Sequence, residues 1–168
     1  WKYPVIKEKD EEAEYTVIFW RQSVNDPKDA VNSAKTYDYV AGETVVRTAK
    51  VGTSVSPEYN DTRKSIDQGY PNGAYRGFHY NANNSKSVTV NADGTTVLNV
   101  YYDRDLLTIN LGKRYWSWFK WKYKVESSYN GLYGQTLSKY GYALSGENSW
   151  NVYDSSYTLV FIDVFKFD

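Results

Sequence analysis

Residues 89–111 read TVNADGTTVLNVYYDRDLLTINL, and the way this stretch divides decides the fold. Its Asn-Ala-Asp-Gly lies between alternating β-formers, and Asp-Gly supplies residues that tolerate the positive φ a tight reversal demands. The pattern predicts a hairpin joining SKSVTV, which ends at Val90, to TTVLNVYYDR, which ends at Arg104. Asn91 and Asp93 superficially resemble the start of a calcium loop, but the turn chemistry accounts for both. Beyond Arg104 the chain runs into Leu-Thr-Ile with no glycine or proline, so one module meets the next without a linker.

Upstream, residues 1–14 pass from a short apolar start into a charged run and read as a linker or the tail of a preceding module. From Tyr15, YTVIFW sets Tyr15, Val17 and Phe19 on one face and Thr16, Ile18 and Trp20 on the other, which suits an inner strand. Asn25-Asp26-Pro27 forms a turn, and two further β-rich runs follow, the second at residues 44–49. Residues 56–68 form the best helix signal: Ser56 caps, Pro57 takes the first position and Gly69 terminates. Tyr59, Arg63 and Ile66 give it only a thin apolar stripe, so it lies on a sheet. The order of elements predicts an α+β, β-rich module over residues 15–104, with one short helix on a mixed sheet. Residues 105–168 form a second, smaller β-rich module containing GLYGQTLSKYGYAL and YTLVFIDVFKF. VGTSVSPEY and YGQTLSKYGY each pair a glycine turn with a polar helix start, as related points of two repeats would.

The strand ending in Tyr101-Tyr102-Asp103-Arg104 and running into Leu107-Thr108-Ile109 resembles the joint between repeats of Gram-positive cell-surface adhesins. Those repeats are of the mucin-binding-protein and internalin B-repeat (Listeria–Bacteroides) types. The likeness spans residues 15–167. It implies tandem β-grasp-like modules, exported and cell-wall anchored through parts of the protein outside this stretch, with Tyr101, Tyr102 and Arg104 at the module joint. The chain departs from the pattern where GKRYWSWFKWKYK stands in place of a glycine-rich turn. The family offers no catalytic residues to carry over, and its ligand varies among members.

Composition narrows the function classes. Twenty acidic and twenty basic residues cancel, so no global field draws in nucleic acid or anionic lipid. With no cysteine there are no disulfides, thiolate metal sites or cysteine nucleophiles. No window reaches the roughly eighteen apolar residues of a membrane span, and the chain starts at Trp1, as a piece of a longer polypeptide would. Tyrosine and tryptophan, 18 and 6 residues, carry an apolar body and a polar tip, which suits half-buried sheet faces and recognition surfaces alike.

Aromatics concentrate in RYWSWFKWKYK, residues 114–124. Read as one strand, it places Tyr115, Phe119, Trp121 and Tyr123 on a core face and Trp116, Trp118, Lys120, Lys122 and Lys124 on an outer one. Trp116, Trp118, Lys120 and Lys122 are therefore the expected ligand-binding set: exposed indoles beside lysines suit sugar C–H faces and protein hot spots. Packing against the neighbouring module is the competing use of the same indoles, membrane contact a third. The five basic residues from Lys113 to Lys124 favour an acidic glycan or lipid, although lysines also guard edge strands against aggregation.

His79, the single histidine, makes neither a metal cluster nor an acid–base pair by itself and reads as structural. Asp103 and Asp105 flank Arg104 as close opposite charges that pin the joint. Asn60-Asp61-Thr62 and Asn83-Asn84-Ser85 match the glycosylation sequon, a tripeptide common by chance. The sequence thus predicts a non-catalytic extracellular segment, with no cofactor or metal, that adheres to a host glycan or glycoprotein and contacts neighbouring repeats, without nucleic acid or membrane insertion. The alternatives are a ligand-free stalk and a carbohydrate-binding accessory module of an enzyme.

Overall fold

The computed structural model describes residues 11–67 and 73–135. Its centre is β1 (Glu12–Gln22), whose burial alternates along the strand: Ala13, Tyr15, Val17 and Phe19 are buried, while Thr16, Ile18 and Trp20 are half-buried. Two short strands share one edge of β1, both antiparallel. β2 (Tyr37–Tyr39) pairs with Trp20, Arg21 and Gln22, and β3 (Val45–Lys50) pairs with the stretch from Glu12 to Val17. The other edge takes β7 (Thr96–Arg104) in parallel, with Tyr15 opposite Thr96 and Trp20 opposite Tyr101. β5 (Phe78–Tyr80) closes the sheet antiparallel to β7. The result is a five-stranded mixed sheet with the expected inner strand at its middle.

The core lies on one face of this sheet. Tyr15, Val17 and Phe19 of β1 meet Leu98, Val100 and Tyr102 of β7, Phe78 of β5, and Val40, Tyr75 and Val90 from the connections. Burying such side chains is the main drive for folding, about 1.5–3 kcal/mol each. β4 (Ser54–Val55) and β6 (Val88–Thr89) form a separate two-stranded antiparallel sheet, and Val55 and Val88 pack against the core cluster.

Two expectations change here. The helix expected at 56–68 is two single turns, α1 (Tyr59–Thr62) and α2 (Lys64–Asp67), parted at Arg63 with φ −111° and ψ 5°. The cap is Glu58 rather than Ser56, and its backbone N–H donates to the Asp61 carboxylate at 2.8 Å. Asp61 is drawn inward because Arg47 of β3 holds it with two bonds of 2.6 and 2.7 Å. Tyr102 donates its hydroxyl hydrogen to the Asp61 carbonyl and accepts from the Lys64 N–H, so both turns are tied to β7. Strong tertiary bonds of this kind override a weak apolar stripe. A 3-10 turn at Asn32–Ala34 adds a further short helical piece, and the expected terminator Gly69 lies outside the described residues. The second change concerns Asn91-Ala92-Asp93-Gly94. It does reverse the chain, with Gly94 at φ 71°, but the strands around it go to different sheets, β6 to β4 and β7 to β1 and β5.

After Arg104 a single residue, Asp105, intervenes before β8 (Leu106–Ser117), which returns as β9 (Lys120–Leu132) in a long antiparallel ribbon. A bulge lies between Leu111 and Gly112: Leu111 faces Ser127 and Gly112 faces Val125, so Glu126 is the extra residue on β9. YTLVFIDVFKF and most of GLYGQTLSKYGYAL lie outside the described residues.

Candidate functional site: an aromatic-tipped arm on a locked base

The base of the ribbon is fastened to the sheet. Arg104, at the end of β7, donates its backbone N–H to the Gln22 side chain at 3.0 Å and its Nε–H to the Gln22 carbonyl at 2.7 Å. A third bond, from its Nη1 at 2.8 Å, reaches the carbonyl of Tyr133 just past β9. Burial and the neighbouring Arg21 push the Arg104 pKa down, and its guanidinium lies over the Phe78 ring, 4.8 Å from the centroid. Gln135 accepts from the Leu132 N–H and donates to the carbonyls of Val24 and Asp26 at 2.8 and 2.7 Å. Gly77, at φ 76°, leaves room for the Tyr133 ring; a Cβ there would stand 2.1 Å from Tyr133 Cγ. The end of the ribbon is thus gripped by the β1–β2 connection, the end of β7 and the turn before β5.

Of the three expected joint residues, Arg104 makes the connection. Tyr102 is fully buried within the module, where desolvation raises its phenol pKa. Tyr101 lies on the opposite face of the sheet among Trp20, Tyr37 and Tyr39: its ring is 4.6 Å from Tyr37 and stacked on Trp20, which meets Tyr39 edge-on at 5.9 Å. Trp20 also donates to Asn99 at 2.8 Å. This back-face cluster was not anticipated, because its members come from three strands whose pairing the sequence does not state.

The flanking carboxylates do not pair with Arg104, since alternation along an extended strand turns them away from it. Asp103 is buried and takes Lys35 at 2.5 Å, the Tyr37 hydroxyl at 2.7 Å and the Asn81 amide at 2.8 Å. Desolvation and then Asp103 raise the Tyr37 pKa. Asp105 sits 2.8 Å from His79 Nδ1 on the surface, and that hydrogen bond is the largest cause of a raised His79 pKa. Among the described residues no group of three or more histidines or carboxylates is arranged to hold a metal ion. A cleft of about 340 Å³ beside α1 and α2 is lined by Phe19, Arg47, Asp61 and Lys64, whose charged groups are already used, Arg47 by Asp61 and Lys64 by Glu43.

The far end of the ribbon is different. The run read as one strand reverses in its middle: Ser117 faces Lys120, and Trp118 and Phe119 form a two-residue turn with φ 49° and 58°. Positive φ at both central residues marks the mirror-image turn that matches strand twist, normally made by Asn-Gly. Two aromatics there cost about 1–2 kcal/mol each in backbone strain. Both side chains stand in solvent, Trp118 86 % exposed and Phe119 92 %. Phe119 and Tyr115, expected in a core, are exposed, the latter at 44 %.

The reversal also changes which residues share a face. A two-residue turn pairs even positions of β8 with odd positions of β9, so Trp116 faces Trp121, and Tyr115 faces Lys122. Lys120 and Lys122 therefore lie on the face of Tyr115 and Ser117, away from Trp116. Of the expected set, the structure brings Lys120 and Lys122 together, puts Trp118 at the apex and leaves Trp116, 57 % exposed, on the other side. Phe119 and Tyr115 are the members the one-strand reading missed; the signal lay in the polar Ser117 and Lys120 bracketing two residues. Comparison with protein-family models, with curated proteins and with solved structures finds no match for this chain.

Proposed function

We propose that this chain is a non-catalytic extracellular segment of a cell-wall-anchored Gram-positive surface protein that adheres to a host glycan or glycoprotein through the end of its β8–β9 arm. The reading includes tandem β-grasp-like modules of the mucin-binding and internalin B-repeat kind, with the second module beginning at Asp105. A parallel β1–β7 pair at the centre of a mixed sheet, covered on one face by two helical turns, supports that fold reading. The observation that carries the functional reading is the arm's apex. A strained turn holds Trp118 and Phe119 in water, beside Lys120, at the end of a ribbon whose base is anchored by Arg104 and Gln135. Strain and exposed aromatic surface both oppose folding, and such features concentrate where a protein makes contact.

The test is binding to immobilised mucin-type glycoprotein and to a glycan array. Replacing both Trp116 and Trp118 by Ala is expected to weaken binding at least tenfold, and Lys120→Gln with Lys122→Gln to make the remainder less salt-sensitive. Binding unchanged by these substitutions would overturn the assignment to the arm's apex, and none by the unaltered protein favours the second reading, a ligand-free stalk. What supports that reading is the extent of the fastened base, where Tyr133 packs edge-on against Phe78 with ring centroids 6.0 Å apart.

A further inference from the structure

We infer that the apex of the arm is also a lipid-contacting element, which docks shallowly into the headgroup region of a bilayer containing anionic phospholipid. This goes beyond the adhesion reading and does not depend on it. It takes up membrane contact, the third use of the exposed indoles; the sequence expectation of no membrane insertion rested on the absence of an apolar span and of a net charge. The reason is geometric. Trp118 and Phe119 occupy the two outermost positions of a convex turn, 86 % and 92 % exposed, so the tip presents its aromatic surface outward. It can enter a soft interface. Behind the apex stand Ser117 and Lys120, then Trp116 with its register partner Trp121, then Tyr115 and Lys122.

Behind an apolar end, that order alternates Trp and Tyr positions with Lys, a residue type whose stem suits apolar surface and whose ammonium group suits the headgroups. It is the arrangement that stabilises proteins at the boundary of headgroups and acyl chains. Residues 113–124 contain five basic residues and no acidic one, so the complementary surface is negative. Depth is limited by the backbone. Among the described residues β8 and β9 pair only with each other, a two-stranded ribbon and not a closed barrel, so the arm is argued to enter the interface and not to cross it.

The two readouts separate this inference from adhesion, because the vesicles carry no glycan and the glycoprotein no lipid. The experiment is co-sedimentation of the chain with phosphatidylcholine vesicles, with and without about one-third phosphatidylserine, beside glycoprotein binding measured without lipid. Binding to the anionic vesicles is expected, reduced about fivefold by Lys120→Gln or Lys122→Gln. Phe119→Ser is expected to reduce it about tenfold or more. Trp118→Asn with Phe119→Gly, which suits the turn and keeps the ribbon folded, should abolish vesicle binding. No sedimentation with anionic vesicles, equal sedimentation with neutral ones, or full binding by the Asn-Gly variant would overturn the inference. Glycoprotein binding by the unaltered protein in any of those cases leaves the adhesion reading standing.

Discussion

Asp103 shows how much one buried side chain can hold. Its carboxylate is satisfied by Lys35, Tyr37 and Asn81, which come from the β1–β2 connection, β2 and the segment after β5. Removing it would leave the largely buried Lys35 ammonium without its counter-charge, and breaking one side of such a pair costs about 3–5 kcal/mol. Asp103→Ala should therefore lower the melting temperature by roughly 10 °C or more, read by calorimetry or circular dichroism; a change of a degree or two would mean that water already serves the site. His79 makes a smaller, pH-dependent contribution. Its pKa is raised by the Asp105 hydrogen bond, so folding favours the imidazolium. The stabilisation is fully present below the unfolded value of about 6.5 and is lost as pH rises through the higher folded value. Both partners are partly exposed, so the effect on stability is small. Titration of the His79 ring by NMR should give a midpoint above 6.5 that returns toward it in Asp105→Asn. These pairings could not be read from the sequence, where Asp103 and Asp105 appear to flank Arg104: a strand sends neighbours to opposite sides.

Among the elements, β1 and β7 were legible because their apolar alternation is long and their core faces are continuous; the helix, the strand partners around the first reversal and the whole of the second were not. The helix signal at residues 56–68 gave way to an Arg47–Asp61 pair from a distant strand. Asn-Ala-Asp-Gly announced a turn correctly, yet turn chemistry fixes only the local bend, and the strand partners on either side were chosen by the sheet. In the arm the failure ran the other way. Trp118-Phe119 has no turn chemistry at all, so alternation carried straight across it and parity was assigned wrongly for every residue beyond. The base of the same arm gives an element-scale prediction. Gly77 combines positive φ with direct contact against Tyr133, so Gly77→Ala strains the backbone and displaces the ring. It should cost about 2 kcal/mol or more, and hydrogen exchange should quicken at the Tyr133 and Gln135 amides, which pair with Asp105 and Leu132. Unchanged exchange there would show that the ribbon is held without the Gly77 contact.

For the whole molecule, the proposed reading divides stability and contact between the sheet and the arm. The mixed sheet buries a continuous core and grips the ribbon through Arg104, Gln22 and Gln135, whereas the apex is strained and wet. A site that opposes folding is where stability and function should separate when the sequence is changed. The direct measurement replaces Trp118-Phe119 by Asn-Gly and records denaturant stability together with glycoprotein binding. The account predicts that stability is unchanged or rises by about 1–2 kcal/mol while binding falls at least tenfold. Loss of stability with binding intact would contradict it, since the two aromatics would then belong to the core of the fold and not to its contact surface.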